Sequence, residues 1–394
     1  MRTADIIHRR IKMPNTEKAT PELREALARI DKYYDRVMLW LAHMYDERTG
    51  GFHMAMSGKL DPDMEPAVEM TSWGLSFIND YAKLMPSIPA ELKEKFIQFF
   101  YDRQDSETGL FVDKQGPVNA REQARNQMSG LGACKKLGIT PKYSHPGLSK
   151  DEKAAADAPL MPDFMASPES YIAWMETLPW DEGSWHAGDK VESSQQFMRM
   201  LPEDEQKRYT SAMFAWLDAH QFESGMWSER LNFTSISGIY KVGRVYAFWG
   251  KKLPRYEAAI DTIFECYHVD KLANPYYVRN PLSVLLDLCS YGEDVKAKIQ
   301  QGILDNIDPI VESFAEFLCP DGAFCAALSG EKKSMTVFGG VRGSHGLHEG
   351  DIDATFMMLI ARGAFYRIFD LTAPPLAAPD FWDWLAGTKP LPEL

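Results

Sequence analysis

No stretch of the chain approaches the roughly 18 consecutive apolar residues that a membrane-spanning helix requires. Its N-terminal stretch "MRTADIIHRRIKMPNTEKAT" has basic residues but no continuous apolar segment. Neither a membrane span nor a secretory signal is expected, and the chain reads as cytoplasmic. Positive charge is in short supply: 43 Lys and Arg against 56 Asp and Glu leave a formal net charge of -13. With no basic stripe interleaved with aromatics, that balance opposes binding to a polyphosphate backbone, so no nucleic-acid partner is expected. Cysteine is sparse and odd in number, with Cys134, Cys266, Cys289, Cys319 and Cys325 forming no CxxC pair. Free core thiols in a reducing compartment are the expectation. A Walker loop, a G-x-G-x-x-G after a strand and a G-x-S-x-G elbow are all missing, which disfavours nucleotide-dependent and serine-hydrolase chemistry. No cofactor is expected.

What the 394 residues do contain is ample core material, 45% hydrophobic and 12% aromatic, together with an internal repeat. The segments "YDERTGGFHMA", "YDRQDSETGLFVD", "LPWDEGSWHAGD", "AHQFESGMWSE" and "LCPDGAFCAA" share a polar turn, a glycine and an aromatic. An amphipathic stretch precedes each and a more apolar one follows. Ahead of the first copy, Ile30, Tyr34, Val37, Met38, Leu41 and Met44 recur mostly at three- and four-residue steps, the spacing of one helical face. Behind it, Trp73, Leu75, Phe77 and Ile78 leave little polar surface, as expected of a helix covered on most sides.

This alternation predicts outer helices over 22–46, 89–104, 168–177, 202–221, 254–268 and 294–318, and inner helices over 66–85, 119–137, 189–201, 232–249, 278–291 and 351–369. Pro21, Pro89, Pro168, Pro202 and Pro254 stand at or beside five of the outer starts, where a missing N–H costs nothing. The expectation is an all-α chain forming one domain, with an N-terminal arm over 1–19 and a C-terminal tail over 371–394. Six such hairpins resemble the (α/α)6 toroid of six-hairpin glycosidases, polysaccharide lyases, sugar 2-epimerases and terpenoid cyclases. "QFESGMW", Gln221 to Trp227, looks like the Q-x3-G-x-W element of squalene-cyclase-type toroids, a turn staple that speaks for fold and not for chemistry.

In such a toroid the loops entering the inner helices would converge at one end. They carry Glu65 and Glu69; Asn119, Arg121, Glu122 and Arg125; His186, Asp189 and Glu192; Trp227, Arg230 and Asn232; Asn274, Tyr276, Tyr277, Arg279 and Asn280; and Arg342, His345, His348, Glu349, Asp351 and Asp353. Aromatics, amides, arginines and carboxylates together suit a carbohydrate site, because sugar rings stack on aromatic faces. The substrate-binding candidates are Trp227, Arg121, Asn232, Tyr276, Arg279, Asn280 and His345.

The catalytic candidates are Asp353, Glu349, Asp351, His348, Glu69, His186 and Asp189. "HEGDIDAT", 348 to 355, is the densest cluster. Asp351 is placed to cap the last inner helix, while Asp353 in its first turn faces either a cavity or its wall. Glycoside hydrolysis needs two carboxylates on opposite sides of the scissile bond, one from this cluster and the other from Glu69, Asp189 or Glu192. A lyase or epimerase would instead use His186, His345, His348 or Tyr276 as base. "DIDAT" also resembles the D-x-D-D-T acid motif of class II terpene cyclases, which would make Asp353 the proton donor and Asp351 its support, although Ala354 replaces the third aspartate. The spacing of His345, His348 and Asp351 promises no fixed geometry, so no metal is expected. The expected partner is a small molecule, a saccharide by composition of the loops; a silent sugar- or protein-binding toroid is the remaining alternative.

Overall fold

Helix starts follow the chemistry of their first residues. In the computed structural model, which describes residues 19–114, 120–144, 161–181, 184–328 and 331–394, α1 (Pro21–Lys32) and α7 (Pro168–Glu176) carry proline in the first turn. The Thr20 and Ser167 hydroxyls cap them, accepting from Leu23 N at 3.2 Å and Ser170 N at 3.1 Å, which satisfies donors that have no partner inside the helix. Pro89 and Pro202 immediately precede α5 (Ala90–Tyr101) and α9 (Glu203–His220).

The described residues are mostly helical, with short antiparallel hairpins. The remaining long helices are α2 (Val37–Met44), α4 (Val68–Ser76), α6 (Ala120–Leu137), α8 (Ser184–Met198), α10 (Phe233–Phe248), α11 (Tyr256–Val269), α12 (Tyr276–Leu288), α13 (Glu293–Asp305), α14 (Ile307–Ala315) and α15 (Ile352–Ile368). A short α3 (Met56–Leu60) follows the first hairpin and α16 (Phe381–Leu385) lies near the C-terminus. No described helix is long and apolar enough to cross a membrane.

Two expected outer helices are each a broken pair. The stretch 22–46 divides between α1 and α2, and 294–318 divides at Asn306 between α13 and α14. Pro309 explains the second break: it cannot donate to a carbonyl of the preceding turn, so it is accommodated only where a new helix has just begun. The inner stretch 66–85 likewise ends early, passing from α4 into a π-helical turn over Phe77–Tyr81.

The repeated turn has a common structure. Gly50, Gly109, Gly225 and Gly322 all adopt φ between +67° and +90°, a left-handed conformation that glycine takes without penalty. Two residues on, Phe52, Phe111, Trp227 and Phe324 are buried. The amides of Phe52, Phe111 and Phe324 donate to side chains of the next inner helix, Thr71 Oγ1 (3.1 Å), Gln127 Oε1 (3.0 Å) and Thr355 Oγ1 (3.1 Å). Gly183, the glycine of the "GSWHAGD" copy, lies outside the described residues.

Burial separates two classes of helix. On α9 a single stripe of Tyr209, Met213, Phe214 and Leu217 is buried, whereas α15 is buried nearly all round. The buried helices pack in series, α8 on α10, α10 on α12, α12 on α15, α15 on α4 and α4 on α6. Stripe-bearing helices lie outside them, α5 against α6 and α11 against both α10 and α12. The segment expected as a tail packs back on this body: Leu376 N donates to Tyr81 O at 3.0 Å, Phe381 and Leu385 are buried, and His43 Nε2 meets Pro392 O at 2.7 Å.

Candidate acid/base site

The first turns of α4, α12 and α15 and the second turn of α6 bring side chains together around Asp353. Helix N-termini favour negative charge, yet Asp353 is fully buried. Burial, reinforced by the neighbouring Asp351 carboxylate, pushes its pKa up to about 7, against the Tyr276 hydrogen bond and the Arg125 charge, which favour ionisation. The Tyr276 hydroxyl donates to both carboxyl oxygens, at 2.9 Å to Oδ1 and 2.8 Å to Oδ2. Tyr276 is half-buried; desolvation of its phenol raises its own pKa, and the Asp353 charge raises it further.

Glu69, in the first turn of α4, contributes to the potential at Asp353. Its Oε1 accepts from Arg125 Nη2 at 2.9 Å and Nε at 3.2 Å, while buried Oε2 has no hydrogen-bond partner. Burial lifts the Glu69 pKa and Arg125 opposes that shift. The Arg125 guanidinium lies over the Phe338 ring, 4.4 Å from its centroid. Phe338 closes an aromatic series, 5.2 Å from Trp73, which stacks at 5.0 Å on Phe356, which in turn stacks at 6.0 Å on Phe77.

A hairpin covers this end. Its two strands, Val337–Phe338 and Val341–Arg342, join through Gly339 and Gly340, both at positive φ, as the tight two-residue turn requires. A Cβ at Gly339 would stand 3.3 Å from Glu69 Oε2, so the turn lies directly on the unpartnered oxygen. Across the helix pair, the Arg279 guanidinium stacks over Tyr240 at 4.4 Å and Tyr276 at 5.6 Å. Arg279 Nε, Asn274 Oδ1 and Asn280 Oδ1 are buried without hydrogen-bond partners.

Of the other sequence candidates, several have structural employment. Asp351 caps α15: its Oδ1 accepts from Ala354 N at 2.7 Å, and its Oδ2 from Met335 N at 3.1 Å and Ala326 N at 3.2 Å. Burial raises its pKa against those three donors. Glu349 ties Ser57 and Ser334 together, accepting from Ser57 N at 2.8 Å and Ser334 Oγ at 3.0 Å. Asn232 caps α10 by accepting from Ser235 N at 2.8 Å, and Asn280 donates to Ser237 Oγ at 2.8 Å. Trp227 Nε1 donates to Leu217 O at 2.9 Å, and Gln221 Nε2 donates to Gly225 O and Pro254 O.

Away from Asp353, His345 meets Asp61 at 2.9 Å and exposed His186 packs on Trp185. Asp189 pairs with Lys241 at 2.8 Å. Exposed His348 lies beside Cys319 and Cys325. Asn119 and the Arg121 side chain lie outside the described residues.

The sequence reading passed over Trp73, Phe338 and Phe356 as site residues and left Arg125 out of the binding set. Arg125 had a usable signal, a cation on a helix expected to be covered; Phe338 had none, because its hairpin was not anticipated. A cavity of about 460 Å³ is lined by Tyr240, Gly243, Lys251, Asp287, Leu288 and Tyr291 among others, and another of about 350 Å³ by Asp61, Asp63, Met64 and Arg342. Asp353 lines neither. No protein-family model, curated protein or solved structure matches the chain.

Proposed function

We propose that the chain is a carbohydrate-active enzyme built as an (α/α)6 toroid, with Asp353 as the general acid of a glycoside hydrolysis. The toroid rests on the packing of α15 back onto α4, which returns the series of inner helices to its start. The observation that carries the chemistry is Asp353 itself, buried, with its pKa raised to about 7 by that burial, and oriented by Tyr276. A general acid works best with a pKa near the operating pH.

In this reading Asp353 donates its proton to the leaving oxygen of a saccharide. Glu69, oriented by Arg125 through Oε1, presents its unpartnered Oε2 as the second carboxylate. Trp73, Phe338 and Phe356 offer ring faces against which a sugar stacks. The Val337–Arg342 hairpin lifts to admit substrate, since it covers Glu69. Tyr276 has its proton committed to Asp353, which disfavours it as the base of a lyase or epimerase.

A terpenoid-cyclase-like enzyme is the second reading, favoured by one observation: the same aromatic rings gather at the site of a neutral, buried Asp353. Asp353 would then protonate an alkene with Asp351 as its support. Thermal-shift screening of wild type and Asp353→Asn against oligosaccharides, uronates and prenyl diphosphates, followed by mass spectrometry of products, separates the readings. Hydrolysed saccharide from wild type and none from Asp353→Asn supports the first. Cyclised prenyl product supports the second, and a saccharide bound without turnover by wild type would leave a silent binder and sink both.

A further inference from the structure

Cys319 and Cys325 are buried and His348 is exposed, yet Sγ of each cysteine and a ring nitrogen of the histidine all lie within 4.8 Å of one another. The backbone holds them there. Cys319 and Cys325 flank an isolated bridge between Leu318 and Phe324, with Cys319 N donating to Ala323 O at 2.8 Å and Cys325 N to Phe317 O at 2.9 Å. The segment carrying His348 is fastened to the same turn, because Gly350 N donates to Asp321 Oδ2 and Asp351 N to Phe324 O, each at 2.8 Å. Two independent stretches thus present two sulfurs and one nitrogen to a common point.

We propose that Cys319, Cys325 and His348 form a site for a thiophilic divalent cation, Zn2+ above all. Thiolate and imidazole donors select Zn2+ over the oxygen-seeking Mg2+ and Ca2+. Zn–S and Zn–N bonds of about 2.3 and 2.0–2.1 Å put tetrahedral donors roughly 3.5–3.8 Å apart, so donors within 4.8 Å of one another need to close by about 1.3 Å at most. Deprotonated thiols bind the ion, each releasing its proton to solvent. The fourth position faces the solvent beside His348 and takes water. An ion here staples the 317–325 turn to the loop that delivers the cap Asp351 and then Asp353, making it a positioning element for that helix start and not a reacting centre.

The test is a Co2+ titration of the full chain, reduced and held under anaerobic conditions, read by the thiolate-to-cobalt charge-transfer band and followed by displacement with Zn2+. One equivalent should bind in wild type and in Cys134→Ser, and the band should vanish in Cys325→Ser. His348→Ala changes an exposed side chain and leaves the fold intact, so it guards against misfolding of the cysteine variant; there the affinity should fall by about 10-fold or more, as loss of even an outer partner commonly does. Absence of the band in reduced wild type, an unchanged affinity in His348→Ala, or a Cys319–Cys325 disulfide that survives the reductant would each overturn the site.

Discussion

Two groups of acidic side chains sit on the buried helices, and their partners set them apart. On α8, Asp189 and Glu192 face cations: Lys241 meets them at 2.8 and 2.9 Å, and Arg244 meets Glu192 at 2.9 Å, all with part of each side chain in solvent. Around α15, the Arg125 guanidinium pairs with Glu69 and favours ionisation of Asp353, which the Tyr276 phenol holds, while Asp351 is held by backbone amides. Where charge is matched, carboxylates stay structural. Where burial goes with neighbouring carboxylates, desolvation and mutual repulsion raise the carboxyl pKa, for Asp353 to about 7.

Removing the proton store breaks this contrast most strongly. Asp353→Asn should cut turnover by about 10²–10⁴, the usual worth of a general acid. It should also change the pH dependence of stability. The unfolded Asp353 loses its proton in the ordinary carboxylate range while the folded one holds it to about 7, so wild-type stability falls as pH rises between those points. Thermal melts at pH 5 and pH 8 should show the variant gaining on wild type at the higher pH; parallel curves would remove the basis for a stored proton.

Glu69→Gln strips Arg125 of its charge partner and leaves hydrogen-bonding groups buried, costing about 1–3 kcal/mol in denaturant unfolding. Tyr276→Phe should cost about 1 kcal/mol. Because the lost hydrogen bond favours the ionised acid, the limb of the pH–rate profile belonging to Asp353 should move upward; a downward shift contradicts the assigned donor. Asp189→Asn, on the matched side, should change stability by less than about 1 kcal/mol and leave turnover alone. A loss of turnover there comparable to Asp353→Asn would erase the distinction.

Much of the scaffold was legible because helical periodicity and proline placement are local signals. Pro21 and Pro168 sit where the sequence put helix starts, and Gly50, Gly109, Gly225 and Gly322 need their left-handed backbone whatever the rest of the chain does. Asp351 was readable as a cap for the same reason. The site was less so. Tyr276 and Asp353 were both singled out, but as a binding residue and an acid with separate tasks; 77 positions divide them, and only the packing of α12 on α15 joins them. Glu69 with Arg125, 56 positions apart, is the same kind of case. The Val337–Arg342 hairpin went unseen since strands of two residues leave no alternation to detect.

Carbon-13 NMR of the chain labelled at aspartate carboxyls, titrated from pH 4 to pH 9, measures the stored proton with no substrate needed. One resonance should titrate with a midpoint near 7 and be missing from Asp353→Asn. If every aspartate titrates in the ordinary carboxylate range near 4, Asp353 is ionised at neutral pH and cannot be the acid.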